Sequence, residues 1–240
     1  MTDRRILITN DDGIDSPGII RLARAALNFG SVFVVAPERE NSGVSHSISL
    51  RHSVMVHPYD FPVKGVEAYS CSGTPGDCVR VGSLSIMKER PDVVLSGINY
   101  GYNVATDIQY SATAGAAFEA EFQGFPAIAL SEGACDIHEV TDRYLGEILE
   151  ELMGREYVPG YMYNVNFPGC PLSECKGILW DRRVSRQIFY KDHYNVLQKL
   201  PDGGMELMVE GVHEPVSEEG TDYGAVLDNY VSVGRVSNIS

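Results

Sequence analysis

The sequence predicts an α/β fold of three layers, with helices on both faces of a mostly parallel sheet. The strand signal is a series of short runs rich in Val and Ile. These runs are continuous rather than alternating, which marks strands buried on both faces. Between them lie segments with helix start and stop signals, so strand and helix alternate along much of the chain.

In order, "ILIT" is the first strand and runs into Asn10, Asp11, Asp12 and Gly13. "SPGIIRLARAALNFG" then sets Ser16 before Pro17, spaces Ile19, Leu22, Ala23 and Ala26 on one helical face, and stops at Gly30. "VFVVAP" is the second strand. Over 44–71 the rhythm changes to alternating residues with three His and two Pro, which predicts a β-hairpin insertion. "TPGDCVRVGSLSIMKERP" predicts a helix capped by Thr74 and stopped by Pro91, and "SATAGAAFEAEFQGFP" follows the same grammar. "DVVLSGI", "PAIALS" and "MYNVNF" are further strands. From Gly177 onward the alternation is lost, and "DGGMELMVEG" and "NYVSVGRVSNIS" read as strands joined by polar turns. That tail suits an antiparallel extension or arm, packed on a neighbouring subunit, better than growth of a doubly wound sheet. The expected division is a core over 1–176, with the hairpin at about 44–71, and an oligomerisation segment over 177–240.

Bulk properties narrow the partners. A chain of 240 residues, 44% hydrophobic and 22% charged, can bury a large core. None of its apolar runs approaches the roughly 20 residues of a membrane span, and "MTDRR" leads into a strand rather than an export signal. The net charge of −14 argues against a nucleic-acid polymer or a membrane surface as ligand. A small anionic ligand would have to be met by a metal ion or by backbone amides. The five cysteines, Cys71, Cys78, Cys135, Cys170 and Cys175, are odd in number and lack CxxC spacing, so reduced thiols in a cytoplasmic protein are expected, without zinc.

In open parallel sheets ligands sit beyond the carboxyl ends of the strands, and polar clusters recur there. Asp11 and Asp12 could be a helix cap beside a solvated acid, yet one Asp suffices for a cap. Adjacent carboxylates repel unless a cation neutralises them, which points to Mg²⁺ or Mn²⁺, with Gly13 bending the turn so that both reach one ion. The Ser42 hydroxyl and the Asn99 amide carbonyl, at neighbouring strand ends, would complete an all-oxygen shell. "YSATAGAA" either lets a helix pack closely or offers Ser111, Ala112 and Thr113 as a phosphate-binding helix N-terminus, with Asn103 beside it. His46, four residues after Ser42, is a candidate proton donor to a leaving group. His52, His57, His138, His193 and His213 read as surface or packing residues, and Trp180, Tyr190 and Tyr194 as structural aromatics or base-stacking groups.

Six blocks in order carry a family resemblance: "ILITNDDGIDSPGI", "VVAPERENSGVSHSISL", "SGTPGDCV", "PDVVLSGINYGYN", "YSATAGAAFEA" and "YNVNFP". Together they resemble the SurE family, the survival-protein SurE nucleotidases also described as stationary-phase acid phosphatases. The resemblance implies a Rossmann-like core and a metal-dependent phosphomonoesterase acting on nucleoside 5′- and 3′-monophosphates. It further implies one Mg²⁺ or Mn²⁺ per subunit, and a homodimer or homotetramer with exchanged C-terminal elements. Position by position, the family's metal ligands fall on Asp11, Asp12, Ser42 and Asn99, and its phosphate loop on Ser111, Ala112 and Thr113. Asp11 and Asp12 are then also the catalytic candidates, one of them accepting a proton from the attacking water. Two positions depart from the pattern: Ala112 stands where the family has Gly, and the C-terminal block lacks the usual proline.

Other classes leave discriminating features. A phospho-signalling receiver domain also places an acidic pair after its first strand, but it needs a Lys after its fifth, where "EGACD" stands here. A dinucleotide-dependent oxidoreductase would carry GxGxxG after the first strand, which is absent. A non-catalytic nucleotide-binding module would bind a nucleoside monophosphate with Mg²⁺ and release no phosphate.

Overall fold

The computed structural model describes residues 4–213 and 215–237. Its strands are β1 (Arg4–Thr9), β2 (Gly30–Pro37), β3 (Val56–Pro58), β4 (Glu67–Cys71), β5 (Val93–Tyr100), β6 (Ala127–Glu132), β7 (Met162–Phe167), β8 (Ile178–Leu179), β9 (Tyr190–Lys199), β10 (Met205–His213) and β11 (Val231–Val236). Its helices are α1 (Pro17–Ala26), α2 (Pro75–Val81), α3 (Ala112–Phe122), α4 (Glu139–Gly154) and α5 (Asp222–Leu227).

The main sheet has the order β3-β4-β2-β1-β5-β6-β7-β11-β8. From β4 to β7 every pairing is parallel, as the continuous apolar runs predict. Successive residues of β1 serve opposite cores: Ile6 and Ile8 pack with α1 and α4, whereas Leu7 packs with α2 and α3. That two-sided burial makes three layers. Strand order reverses beside β1, because β2 lies on one side of it and β5, reached after α2, on the other. The carboxyl ends of β1 and β5 therefore flank the crevice where ligands bind in such sheets.

The predicted hairpin is present, though small: β3 pairs antiparallel with β4, which itself joins the main sheet beside β2. α2 begins at Thr74 with a reciprocal cap to Asp77, but gives way to a wider π-turn at Gly82–Ile86 well before Pro91. α1 ends at Ala26, and Gly30 already belongs to β2. Two helices go beyond the sequence reading, α4 and α5.

The tail is the expected antiparallel extension, although it grows from the main sheet instead of standing apart from it. β11 runs antiparallel along β7 and carries β8 outside it, so part of 177–237 does extend the sheet. An antiparallel strand needs no crossover helix, and it covers the edge that β7 would otherwise leave unpaired. What remains apart is the β9–β10 hairpin, whose strands pair only with each other and are exposed throughout. The last residues of the proline-lacking block, 238 and 239, lie outside the described residues.

Candidate functional site

Four segments meet where β1 and β5 end. β1 delivers Asn10 to Gly13, and the Asn10 side-chain amide donates to Gly13 O and Ser16 Oγ, both at 2.8 Å, closing the turn. Gly13 holds a φ of +98°, which L side chains rarely adopt, so the bend expected between the two carboxylates depends on it. From β2, the Asn41 N–H donates to the Asp11 carbonyl at 2.7 Å, which brings Ser42 alongside. From β5, the Tyr100 N–H donates to Asp12 Oδ2 at 3.1 Å. At the start of α3, the Thr113 hydroxyl donates to Asp11 Oδ1 at 2.6 Å. The sequence candidates Asp11, Asp12, Ser42, Asn99 and Thr113 thus share one place.

The acids are short of positive charge. Asp11 is 3% exposed, and burial pushes its carboxyl up to about 7; the Thr113 hydroxyl pulls the other way and the Asp12 charge adds to the rise. Burial also raises Asp12, opposed by the Tyr100 N–H and reinforced by the Glu40 and Glu132 carboxylates. Among the described residues neither acid forms an ion pair with Lys, Arg or His. Two oxygen donors beside them remain open. The Asn99 Nδ2 donates to Gly101 O at 2.8 Å, leaving Oδ1, and the exposed Ser42 hydroxyl donates to Glu40 at 2.8 Å, leaving its lone pairs. Two carboxylates, a hydroxyl and an amide carbonyl, with negative charge unbalanced, fit a hard divalent cation. Among the described residues no group of three or more His, Cys, Asp or Glu forms a metal cluster, so the fit rests on this mixed oxygen set.

The phosphate-loop candidates are already partly engaged. Ser111 caps α3, its Oγ accepting from the Ala114 N–H at 3.0 Å. Ala112 is fully buried at the first helical position, where an Ala is at ease, so the family's Gly is not needed for backbone freedom. Thr113 supports Asp11 through its N–H as well as its hydroxyl. Asn103 is tied to β6 and β7: its Nδ2 donates to Ser131, its N–H to Asn166, and its carbonyl accepts from Asn164.

His46 lies against α3. Its Nε2 is 2.7 Å from Glu119 Oε2, and Arg80 donates to Glu119 Oε1 at 2.9 Å. Burial would raise Glu119, yet donation from His46, Gln123 and Arg80 holds it below the usual carboxylate range. The loop that carries Ser42 can sit so low because α3 has Gly115 beneath it; a Cβ there would come within 2.6 Å of Ser45 O. The small residues of "YSATAGAA" thus make room for this loop as well as for the sheet. Thr113 and Glu119 as supports, of Asp11 and of the His46 loop, escape the sequence reading. A Glu set among the apolar residues of "GAAFEAEF" is the one signal that could have flagged Glu119.

The remaining histidines and aromatics stand elsewhere. His52 and His57 are exposed, His138 is beside Glu132, His193 beside Glu210, and His213 bonds Tyr223. Trp180 lies under the Arg155 guanidinium at 4.7 Å, Tyr190 packs on Phe189, and Tyr194 is out on the β9–β10 hairpin.

A family model described as "Survival protein SurE" matches residues 6–189. The chain belongs to the SurE family. All six blocks quoted above fall inside that match. It is 37% identical over 234 residues to the "5′-nucleotidase SurE" of Thermosipho melanesiensis, covering 97% of this chain and 91% of that one. It is 38% identical over 231 residues to the "5′/3′-nucleotidase SurE" of Citrobacter koseri, covering 95% and 88%. The fold is similar to the crystal structure of the Sure protein from Aquifex aeolicus, with a TM-score of 0.82, 35% identity, and coverage of 97% and 93%.

Proposed function

We propose that this SurE-family chain is a metal-dependent phosphomonoesterase that hydrolyses nucleoside 5′- and 3′-monophosphates to nucleoside and phosphate. The observation that carries the reading is the adjacent pair of buried Asp11 and half-buried Asp12, neither in an ion pair among the described residues, set at the reversal of strand order with Ser42 and Asn99 beside it. Asp11, Asp12, Ser42 and Asn99 would hold one Mg²⁺ or Mn²⁺. A bound ion of this kind supplies Lewis-acid polarisation of a phosphoryl oxygen and makes a water more acidic.

The chain's own groups do the rest. The N-terminus of α3 points its positive dipole end at phosphoryl oxygens, with Ala112 and Ser111 at its rim. Thr113 fixes Asp11, so the phosphate loop and the acid pair act as one unit. Asp12 is the more exposed acid, and its Oδ1 takes no protein donor among the described residues, so it is the group that accepts the proton of the attacking water. His46, with Nε2 on Glu119, anchors the loop that carries Ser42 and remains the candidate proton donor to the leaving group. The exposed apolar side chains of β9 and β10, among them Val196, Leu197, Leu207 and Met208, support a homodimer or homotetramer built through this hairpin. Five free thiols accord with a reducing, cytoplasmic setting.

The test is phosphate release from AMP and 3′-AMP with Mg²⁺ or Mn²⁺, with and without chelator. Metal-dependent turnover supports the reading. Hydrolysis of neither nucleotide with any divalent ion defeats it, and binding of AMP without release would make the chain a nucleotide-binding module.

A further inference from the structure

Two large aromatic side chains stand exposed at the carboxyl end of the sheet, Tyr100 at 54% and Tyr110 at 65%. Neither ring packs on another ring, and neither hydroxyl has a partner among the described residues. We propose that Tyr100 is the platform on which the nucleobase of the substrate stacks, so that it sets the preference for nucleotides over phosphate esters without a base. This inference rests on the phosphomonoesterase reading and names the residue that recognises the non-reacting part of the substrate.

Tyr100 is held rigidly where such a platform is needed. Its N–H is bonded to Asp12 Oδ2 at 3.1 Å, and it follows Asn99 directly, so its ring springs from backbone that borders the acid pair. On its other side Gly101 is pinned twice, its N–H to Glu132 O at 2.9 Å and its carbonyl to Asn99 Nδ2 at 2.8 Å. A tyrosine on fixed backbone has only two side-chain torsions left to order, so stacking on it costs little entropy. The ring is more than half exposed and makes no ring contact among the described residues, so a face of it is open to a ligand. Tyr110 is the weaker choice, because its backbone makes no bond to either acid among the described residues and its carbonyl is instead tied to the Ser45 N–H at 3.0 Å. Trp180, Tyr190 and Tyr194 are removed from consideration by their places in the fold.

The experiment compares two substrates that differ only by the base, AMP and ribose 5-phosphate, at saturating Mn²⁺. It is run on the full chain and on Tyr100→Ala, Tyr100→Leu, Tyr100→Trp and Tyr110→Ala. Base–aromatic stacking is strong enough that Tyr100→Ala and Tyr100→Leu should each lower the AMP to ribose 5-phosphate ratio of kcat/KM about tenfold, chiefly through KM. Tyr100→Trp should keep the ratio and Tyr110→Ala should leave it unchanged. Leu retains bulk and apolar surface without a π-face, so a folded Tyr100→Leu keeps the test decisive if the Ala variant is unstable. An unchanged ratio in the Tyr100 variants, or a fall confined to Tyr110→Ala, overturns the assignment while leaving the phosphomonoesterase reading intact. Failure of the unmodified chain to hydrolyse either ester defeats the underlying reading instead.

Discussion

Thr113→Val separates two roles for one residue. The family resemblance sets Thr113 in the phosphate loop, whereas the structure has its hydroxyl 2.6 Å from Asp11 Oδ1 and its side chain fully buried. Valine matches the shape, so the perturbation is the loss of one donor to a buried carboxylate that no water can replace. A hydrogen bond to a charged group is worth about 1.5–3 kcal/mol, and removing the support of a metal ligand commonly costs about 10–100-fold in metal affinity. Thr113→Val should therefore raise the Mn²⁺ concentration needed for half-maximal phosphate release at least about tenfold. It should leave KM for AMP nearly unchanged once the ion is saturating. Metal titrations of phosphate release from AMP, and of the thermal midpoint, read this out. The reasoning is refuted if the metal dependence stays the same while KM for AMP rises about tenfold, for then the hydroxyl touches phosphate and not Asp11.

Asp12→Asn removes one of two charges from the oxygen set and should lower metal-dependent phosphate release about a hundredfold or more; a near wild-type rate would dismiss the acid pair as the centre. Chelation should abolish turnover and lower the thermal midpoint, and Mn²⁺ restored at about 100 times its Kd should add about 2.7 kcal/mol of stability; a midpoint indifferent to Mn²⁺ would count against any folded-state site. Gly115→Ala drives a Cβ to 2.6 Å from Ser45 O, so it should cost about 1–3 kcal/mol by denaturant unfolding and weaken the Mn²⁺ response as the Ser42 loop shifts; wild-type values for both would contradict the close approach. Glu119 titrates below the usual range in the fold, so its stabilising contribution is present above the ordinary glutamate pKa of about 4.3 and is lost as pH falls through the lowered value. Glu119→Gln should flatten the decline of the thermal midpoint over that acidic window, and superimposable curves for the two proteins would dispose of the linkage.

The core strands were legible because burial on both faces makes most of each a short apolar run, with the polar residues of β5 and β6 gathered toward the carboxyl end; β7, with buried Asn164 and Asn166, is the least regular of them. β1, β2, β5, β6 and β7 all appear where those runs lie. α4 was legible in principle, since Val140, Leu145, Ile148, Leu149 and Leu152 recur on one helical face, although its many charges draw attention away. The fate of the tail was not legible. Whether "VSVGRV" adds to a sheet or leaves it depends on which edge is free, and the free edge is a property of the assembled strand order. The same holds for His46. Four residues after Ser42 it has the spacing of a catalytic group, and only the fold shows that Glu119, far along the chain, holds its Nε2 at 2.7 Å.

The acid pair shows why local sequence could name ligands more readily than their supports. The candidate ligands sit at strand ends, and strand ends are announced by the apolar runs before them; Asp11, Ser42 and Asn99 each follow one such run. Their supports come from whichever elements the topology stacks above, and those carry no positional signature. Reversal of strand order beside β1 sets β5 against it, so the Tyr100 N–H reaches Asp12 across 88 positions of chain. The crossing of α3 over the same face then delivers Thr113 to Asp11 across 102. Each of these bonds favours the charged form of a carboxylate, yet together they leave Asp11 raised to about 7, with neither acid in an ion pair among the described residues. Folding therefore brings both acids to one point without neutralising them, at a cost that a bound cation would repay. On this argument the metal affinity and the stability of the fold are two readings of one electrostatic term, and variants that weaken the first without holding the acids apart should lower the second only when the ion is present.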